Sequence, residues 1–471
     1  MNIDTKKMTI GEAQALMEKG DLTSVTLTEA CLSVIGDKDT EIHAFLEVFG
    51  DVLDQARAAD ERRAQGERGP LLGVPMSTKD NIMIKGRIAS AGSRILEGYV
   101  ATYDATVIER LRSAGAVFMG RANMDEFAMG SSTENSAYGP TRNPHDLSRV
   151  PGGTSGGPAA SVASGMVLGA LGTDTAGSVR QPAGFCGVVG MCPTYGGVSR
   201  FGTMSMASSF DQISPIAKTV EDMMLIHEVI TGEDSLEATC MPSNLRTKPP
   251  LPKRIGVPRS FLGDGIAPDV YSNFNNTLVE LGKTYEIVDV ALPSLENALA
   301  AYYILMPAEV SSNMARYDGM RYGLSVESRI LDNLYQKTRA AGFGREVRRR
   351  ILLGTYVLSA GYYDAYYEKA NRVRDKVRAD FAEAFLNVDA IAMPTSPTTA
   401  FPIGEKADDP VTMYLADIFT VPSVMADLPA IAVPSGVSSD SLPYSIQFIG
   451  PRWSEYGITE IARAVEKISP R

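Results

Sequence analysis

Two hydroxyl residues, Thr154 and Ser178, lie in glycine-rich segments that could support acyl transfer. Residues 151–158 have the sequence Pro-Gly-Gly-Thr-Ser-Gly-Gly-Pro, and residues 173–182 have the sequence Thr-Asp-Thr-Ala-Gly-Ser-Val-Arg-Gln-Pro. Glycine allows backbone N–H groups to approach a ligand closely, so a serine in such a turn lies beside donors for a developing oxyanion. Upstream, a short apolar run leads into Lys79. A lysine and two hydroxyls are the groups that a serine hydrolase without a catalytic histidine requires.

Ser178 is the candidate nucleophile of this set. The N–H groups of Thr175, Ala176, Gly177 and Ser178 itself are the candidate donors to the oxyanion of a tetrahedral intermediate. From the residues alone, a purely structural serine in a glycine turn remains the alternative.

Lys79 is the candidate base, acting through Thr154. An exposed lysine has a pKa of about 10.4 and is almost fully protonated at neutral pH. Burial lowers the pKa of a lysine, and the apolar run before Lys79 favours burial. The alternative is an exposed lysine that pairs with the adjacent Asp80.

Three motifs occur in order along the chain and resemble those of the amidase signature enzymes. They are Gly-Val-Pro-x-x-x-Lys-Asp at 73–80, Gly-Gly-x-Ser-Gly-Gly at 152–157 and Asp-x-x-Gly-Ser-x-Arg at 174–180. Within that family, three further segments are similar to the A subunits of tRNA-dependent glutamyl/aspartyl amidotransferases: 132–143, 354–367 and 408–420. The resemblance extends from about residue 5 to the C-terminus.

The resemblance implies a serine–cis-serine–lysine relay formed by Ser178, Thr154 and Lys79. The family has a serine where this chain has Thr154, which keeps the hydroxyl but restricts χ1. The family usually has glycine at the position of Ala176, so a methyl group there requires a negative φ. We expect Ser155 to replace Thr154 poorly, because successive side chains usually point apart.

The resemblance also implies the residues of a glutamine pocket. Arg350 is expected to bind the α-carboxylate, Asp417 to bind the α-ammonium group, and Tyr302 or Tyr303 to line the pocket. A guanidinium group suits a carboxylate because it can donate two parallel hydrogen bonds. The arginine-rich segment around Arg350 could also be a solvated helix face.

Composition limits the partners and cofactors of the chain. With 45 basic and 56 acidic residues the formal charge is −11, so a tRNA would have to be held mainly by a partner. No phosphate-binding glycine-lysine loop is present, and we expect ATP and Mg²⁺ on the partner subunit, with no cofactor or metal on this chain. Four cysteines without metal-ligand spacing indicate reduced thiols: Cys31, Cys186, Cys192 and Cys240. Cys192 replaces the family's usual lysine, for which the residues give no physical account.

The elements that position these groups form an α/β pattern. Two helices are predicted over residues 9–36, with capping boxes at Thr9 and Thr26 and an end at Gly36. Short apolar runs then alternate with glycine turns, which predicts a mostly parallel mixed sheet covered by helices on both faces. The prediction is one domain over 1–471, with its core at about 70–220 and 388–471 and a helical layer at about 260–386.

The sequence therefore favours the glutaminase subunit of a tRNA-dependent amidotransferase. The resemblance implies a complex with B and C subunits that acts on misacylated glutamyl- or aspartyl-tRNA. With no apolar signal segment or membrane span in the sequence, we expect a cytoplasmic protein. The alternatives are a free-standing amidase for another small amide and a non-catalytic scaffold subunit.

Overall fold

Eleven strands of the described residues form one mixed sheet. The computed structural model describes residues 3–242, 249–263 and 265–469, so both termini, residues 243–248 and residue 264 of the predicted domain lie outside the described residues. The strands are β1 Phe45–Val48, β2 Pro75–Lys79, β3 Val117–Ala122, β4 Gly169–Asp174, β5 Val189–Cys192, β6 Gln212–Ala217, β7 Arg254–Val257, β8 Glu286–Asp289, β9 Ala390–Pro394, β10 Ala430–Val437 and β11 Pro443–Ile449.

The strand order is β1-β3-β2-β4-β6-β5-β10-β11-β9-β7-β8. Four neighbouring pairs are parallel: β2–β3, β2–β4, β7–β8 and β7–β9. The other six are antiparallel. The mixed sheet agrees with the prediction, but parallel pairs are the minority, because the central strands β4, β6, β5 and β10 pair antiparallel. Burial of both sheet faces gives such strands the continuous apolar sequence that is also typical of parallel strands.

Helices flank this sheet. Those of the described residues are α1 Ile10–Lys19, α2 Ser24–Ile42, α3 Val52–Ala64, α4 Thr106–Ser113, α5 Gly156–Ala163, α6 Arg180–Cys186, α7 Val220–Ile230, α8 Pro268–Leu281, α9 Ala298–Asn313, α10 Leu331–Gly342, α11 Arg345–Val357, α12 Lys369–Ala384, α13 Pro410–Tyr414, α14 Val421–Met425 and α15 Glu455–Ile468. The main hydrophobic cluster draws on residues from Ile10 to Val465. The extent of the domain stays a prediction.

The helix ends show where local signals were sufficient. The capping box at Thr9 is present, with the Thr9 side chain accepting from Glu12 and the Glu12 side chain accepting from Thr9. The predicted cap at Thr26 is wrong, because α2 begins earlier with Thr23 as its N-cap. The predicted end at Gly36 is also wrong, and α2 continues to Ile42. Burial of Ile35 and Ile42 outweighs the cost of about 1 kcal/mol for an interior glycine.

The predicted helical layer at 260–386 contains α8 to α12 and also one strand. This strand, β8, pairs parallel with β7 at the edge of the sheet. Its residues are intermediate or exposed, so it lacks the apolar run that marks the central strands. Helix α9 packs against α11 and α12.

Candidate active site

The parallel pairing of β2 and β4 brings the predicted base to the predicted nucleophile. Both strands end at the same edge of the sheet, β2 at Lys79 and β4 at Asp174. The turn after β4 carries Ser178 and leads into α6, while Thr154 lies in the turn before α5. The N–H of Ser155 donates to the carbonyl of Ser178 at 3.0 Å, which joins the two turns.

Lys79 is fully buried and makes three contacts through Nζ. It lies 2.7 Å from Thr154 Oγ1, 2.8 Å from Ser155 Oγ and 3.2 Å from the Thr173 carbonyl. Burial lowers the pKa of Lys79 to about 7, although nearby carboxylates, Asp125 first among them, raise it. A lysine with this pKa is partly neutral at neutral pH and can accept a proton.

The alternative of an exposed lysine paired with Asp80 does not hold. Asp80 is itself buried and accepts from Arg121 at 3.1 Å and from Ser90 at 2.5 Å. The reason given for the expectation about Ser155 does not hold either, because its hydroxyl and that of Thr154 both contact Lys79; that Ser155 replaces Thr154 poorly stays a prediction. The peptide bond between Gly153 and Thr154 is cis.

Ser178 is the most accessible member of the three. Its exposed fraction is 7%, against 0% for Lys79 and Thr154. Within the described part of the chain its hydroxyl has no hydrogen-bond partner, so the structure shows the relay from Lys79 to Thr154 and leaves the last bond to Ser178 unformed. Catalytic hydrogen bonds are often long in unliganded enzymes and shorten when substrate binds.

The Asp174 side chain stabilises the turn at residues 175–178. This buried carboxylate accepts the Gly177 N–H at 2.7 Å and pairs with Arg180 at 3.0 Å. Burial alone would raise the pKa of Asp174, but Arg180 and the turn N–H groups bring it below its ordinary value. The carboxylate therefore stays charged and fixes the turn.

The Gly177 N–H is consequently not free for an oxyanion, contrary to the expectation for this residue. In the described structure the N–H groups of Thr175, Ala176 and Ser178 have no acceptor. Their role as oxyanion donors stays a prediction. Ala176 keeps φ outside the left-handed region, so its methyl group meets the condition set by the sequence.

The predicted pocket residues come together on α9, α11 and the segment before α14. Tyr303 donates to Asp417 at 3.0 Å, and the Arg350 guanidinium lies 5.6 Å from the Tyr303 ring. Tyr302 is also buried, but it packs edge-on against Phe210. Tyr303, rather than Tyr302, is therefore the tyrosine in contact with the predicted ammonium-binding carboxylate.

Arg350 is buried, and one end of its guanidinium is unpaired. Nε donates to Glu346 at 2.8 Å and Nη1 contacts the Met306 sulfur, whereas Nη2 is buried without a partner. Burial alone would lower the pKa of Arg350, but Glu346 and the neighbouring tyrosines raise it above its ordinary value. The alternative of a solvated helix face does not hold for Arg350, which faces a pocket with one donor to spare.

Asp417 is buried beside Arg350 and accepts from two hydroxyls. Ser131 donates to Asp417 Oδ2 at 2.8 Å, and Tyr303 donates to the same oxygen. Burial raises the pKa of Asp417 to about 7, against these hydrogen bonds, which lower it. A cation bound here would favour the ionised carboxylate.

Sequence reasoning missed the residues that surround this pocket. Glu346 lies four residues before Arg350, a spacing at which helical side chains meet, and it also accepts from Tyr414 at 2.7 Å. The Tyr414 ring stacks on Tyr303 with centroids 3.9 Å apart. No sequence pattern indicated Ser131, because only the fold places it against Asp417.

None of the three histidines contacts the relay. His43 contacts the Pro140 carbonyl at 3.2 Å and His145 contacts the Cys186 carbonyl at 3.0 Å, while His227 contacts Thr231 within its own helix end. In the described residues no group of three or more His, Cys, Asp or Glu side chains could hold a metal ion. Cys31, Cys186 and Cys192 are buried free thiols, in agreement with the predicted reduced state.

A partly neutral lysine linked to a hydroxyl, near a serine that retains slight exposure and near unpaired backbone N–H groups, supports acyl transfer from an amide to serine. This chemistry places the protein in the class of serine hydrolases that use lysine as the base. The chain belongs to the amidase family, whose model, described as "Amidase", matches residues 26–458.

Relatives and solved structures of this family cover nearly the whole chain. A protein of Symbiobacterium thermophilum, named as the A subunit of glutamyl-tRNA(Gln) amidotransferase, is 50% identical in an alignment of length 467 that covers 96% of this chain and 94% of the relative. The crystal structure of the protein of that name from Thermotoga maritima is 43% identical, with a TM-score of 0.82 over 99% of this chain and 96% of that one. The native peptide amidase of Stenotrophomonas maltophilia is 30% identical, with a TM-score of 0.81 over 99% and 98% of the two chains.

Proposed function

We propose that this chain is the glutamine-hydrolysing subunit of a tRNA-dependent amidotransferase. The observation that carries the proposal is a buried arginine with a spare donor, Arg350, close to a buried aspartate, Asp417, whose segment reaches the catalytic turn through Thr420. Glutamine presents a carboxylate and an ammonium group, which these two side chains complement. The names of the full-length relatives support the same assignment.

The reaction begins with Ser178. Its Oγ attacks the side-chain amide carbon of glutamine, while its proton passes to Thr154 and the Thr154 proton passes to neutral Lys79. The N–H groups of Thr175, Ala176 and Ser178 donate to the oxyanion, for which each donor of this kind contributes about 3–4 kcal/mol. The charge that forms is thus held by dipoles that are already in place.

Collapse of the tetrahedral intermediate breaks the carbon–nitrogen bond. The proton held by Lys79 returns through Thr154 to the leaving nitrogen, and ammonia departs, leaving a glutamyl ester on Ser178. Water then attacks the ester, the same relay takes its proton, and glutamate leaves with Ser178 restored. Arg350 and Asp417 keep the glutamyl group in place through both steps.

The ammonia produced would serve a partner. We propose that a B subunit binds the misacylated tRNA together with ATP and Mg²⁺, and that a C subunit completes a heterotrimer. The relatives are named as A subunits, which supports a complex of several chains, and the net charge of −11 supports a tRNA site on other chains. No helix in the described ranges has the length and apolar composition of a membrane span. A cytoplasmic location stays a prediction.

A free-standing amidase is the second candidate, because the peptide amidase shares the fold at 30% identity. An uncharged amide would require neither Arg350 nor Asp417, which favours glutamine. The scaffold hypothesis rested on Thr154 and Ala176, but Thr154 contacts Lys79 at 2.7 Å and Ala176 fits its turn, so neither residue argues for an inactive scaffold.

Trapping the acyl-enzyme tests the proposal. The chain, alone and with co-expressed B and C subunits, is incubated with glutamine, quenched in acid and digested for mass spectrometry. A glutamyl adduct on the peptide that contains Ser178, absent from Ser178→Ala, is the expected result. An adduct on a cysteine, or turnover of other amides but not of glutamine, would contradict it.

A further inference from the structure

Thr420 joins the substrate pocket to the catalytic turn. It is fully buried and lies three residues after Asp417, in the segment that leads into α14. Its N–H donates to the Asp417 carbonyl at 3.1 Å, and its hydroxyl lies 3.2 Å from the same oxygen. One tight turn therefore connects Thr420 to the predicted ammonium-binding residue.

The Thr420 hydroxyl also reaches the turn that carries Ser178. It donates a short hydrogen bond to the carbonyl of Ala176. A side chain added at Gly177 would overlap Thr420, so the two segments are in direct contact. The Thr420 carbonyl accepts from Arg180 at 3.1 Å, and Arg180 is the partner of Asp174.

The peptide unit between Ala176 and Gly177 is consequently held at both ends. Thr420 binds its carbonyl, and Asp174 binds its N–H at 2.7 Å. Because a peptide unit is planar, fixing both ends anchors the Cα atoms of Ala176 and Gly177, where the two neighbouring peptide units begin. Those units carry the N–H groups of Ala176 and Ser178, which have no acceptor in the described structure and adjoin the nucleophile.

We propose that Thr420 is a positioning residue that couples binding of the substrate's α-ammonium group at Asp417 to the alignment of the oxyanion donors. The inference rests on the proposed function and deepens it, because it assigns the ammonium group a part in turnover as well as in binding. A substrate without that group makes no contact with Asp417, so the segment 417–420 is then held by the protein's own hydrogen bonds alone.

The test compares two substrates in the assembled enzyme at a pH at which Asp417 is ionised. One is glutamine, and the other is 5-amino-5-oxopentanoate, which is glutamine without its α-amino group. The variants are Thr420→Val, which removes the hydroxyl at nearly constant shape, and Thr420→Ser, which keeps it. Thr459→Val is the matched control, because Thr459 is equally buried and donates to the Glu455 carbonyl within its own helix, α15.

Thr420→Val should lower kcat for glutamine by about 10- to 100-fold while KM for glutamine changes little, because Arg350 and Asp417 remain. An interaction that acts only in the transition state has this signature. The ratio of kcat between the two substrates should fall towards one in Thr420→Val and stay at the wild-type value in Thr420→Ser and Thr459→Val.

A change in KM alone, an unchanged kcat ratio in Thr420→Val, or a serine variant as slow as the valine variant would each overturn the coupling. Should Thr420→Val melt below the wild type, Thr420→Ala takes its place, with the same expectations. Failure of the proposed function is recognised separately, since the wild-type complex would then hydrolyse no glutamine at all.

Discussion

The base of the relay and the substrate pocket are both buried, but only the base, Lys79, has its hydrogen bonds complete. Lys79 has three acceptors for the three donors of an ammonium group. Arg350 instead leaves Nη2 without a partner. An unpaired buried donor costs about 1–3 kcal/mol. The pocket therefore holds an unpaired donor that a ligand can bind, whereas Lys79 and Thr154 are in contact before any ligand arrives.

This difference indicates separate roles for the two regions, proton transfer for the relay and substrate recognition for the pocket. The relay must hold a lysine at a low pKa, so Lys79 is fully buried and all its donors are paired. The pocket must recognise a charged molecule, so its own charges, Arg350 and Asp417, are incompletely balanced by the protein. Changes in the relay should therefore affect kcat most, and changes in the pocket should affect KM most.

The largest effect is expected at Lys79. Arginine keeps the charge but cannot release its proton in a protein, so Lys79→Arg should lower kcat by about 10⁴-fold, the upper range of acid–base catalysis. Stopped-flow or steady-state ammonia release measures it. Lys218→Arg, at another buried lysine, is the control and should keep its kcat. A kcat for Lys79→Arg comparable to that of the wild type would show that Lys79 is not the base of the relay.

Thr154 should show the next largest effect. Thr154→Val preserves the shape but removes the hydroxyl, so kcat should fall about 100-fold, whereas Thr154→Ser should keep or raise it. The same ammonia assay applies. Full activity in the valine variant would mean that Ser155, which also contacts Lys79 at 2.8 Å, transfers the proton instead.

The pocket variants should change KM rather than kcat. Arg350→Ala removes a charge-assisted hydrogen bond of about 1.5–3 kcal/mol, which is roughly a 10- to 100-fold rise in the KM for glutamine. Asp417→Ala should raise KM similarly and weaken discrimination against analogues without the α-amino group. Arg348→Ala, exposed on the same helix, is the control. Equal KM values in all four proteins would place the pocket elsewhere and favour the free-standing amidase.

The smallest expected effect, and the most informative, is the pH dependence of kcat and KM. The pKa of Lys79 is lowered to about 7 and that of Asp417 is raised to about 7. As pH falls below 7, Lys79 becomes protonated and loses its basicity, while Asp417 becomes neutral and loses its attraction for the ammonium group. Thus kcat should fall and KM should rise together on the acidic side. In Asp417→Ala the KM limb should disappear while the kcat limb remains; loss of both limbs would contradict separate roles.

Much of the fold and site could be predicted from local sequence. The alternation of apolar runs with glycine turns predicted a covered sheet, because apolar runs bounded by glycine are typical of buried strands. Lys79, Thr154 and Ser178 were identified from their motifs, and the structure brings Lys79 and Thr154 into contact. Strand direction was harder to predict from the sequence, since a strand buried on both faces has the same composition in parallel and antiparallel pairs. The half-exposed β8 lacked any apolar run and was missed.

The sequence by itself determined which chemical groups are present and which turns carry them: the lysine, the two hydroxyls, and the glycines that allow close backbone approach. The tertiary structure decided their protonation and their hydrogen-bond partners. Only complete burial lowers the pKa of Lys79, only the contact with Asp174 removes the Gly177 N–H from the free donors, and only the packing of α9 on α11 selects Tyr303 over Tyr302. Protonation and hydrogen-bond pairing depend on solvent exclusion and on neighbours distant in the chain, and neither is encoded in a local motif.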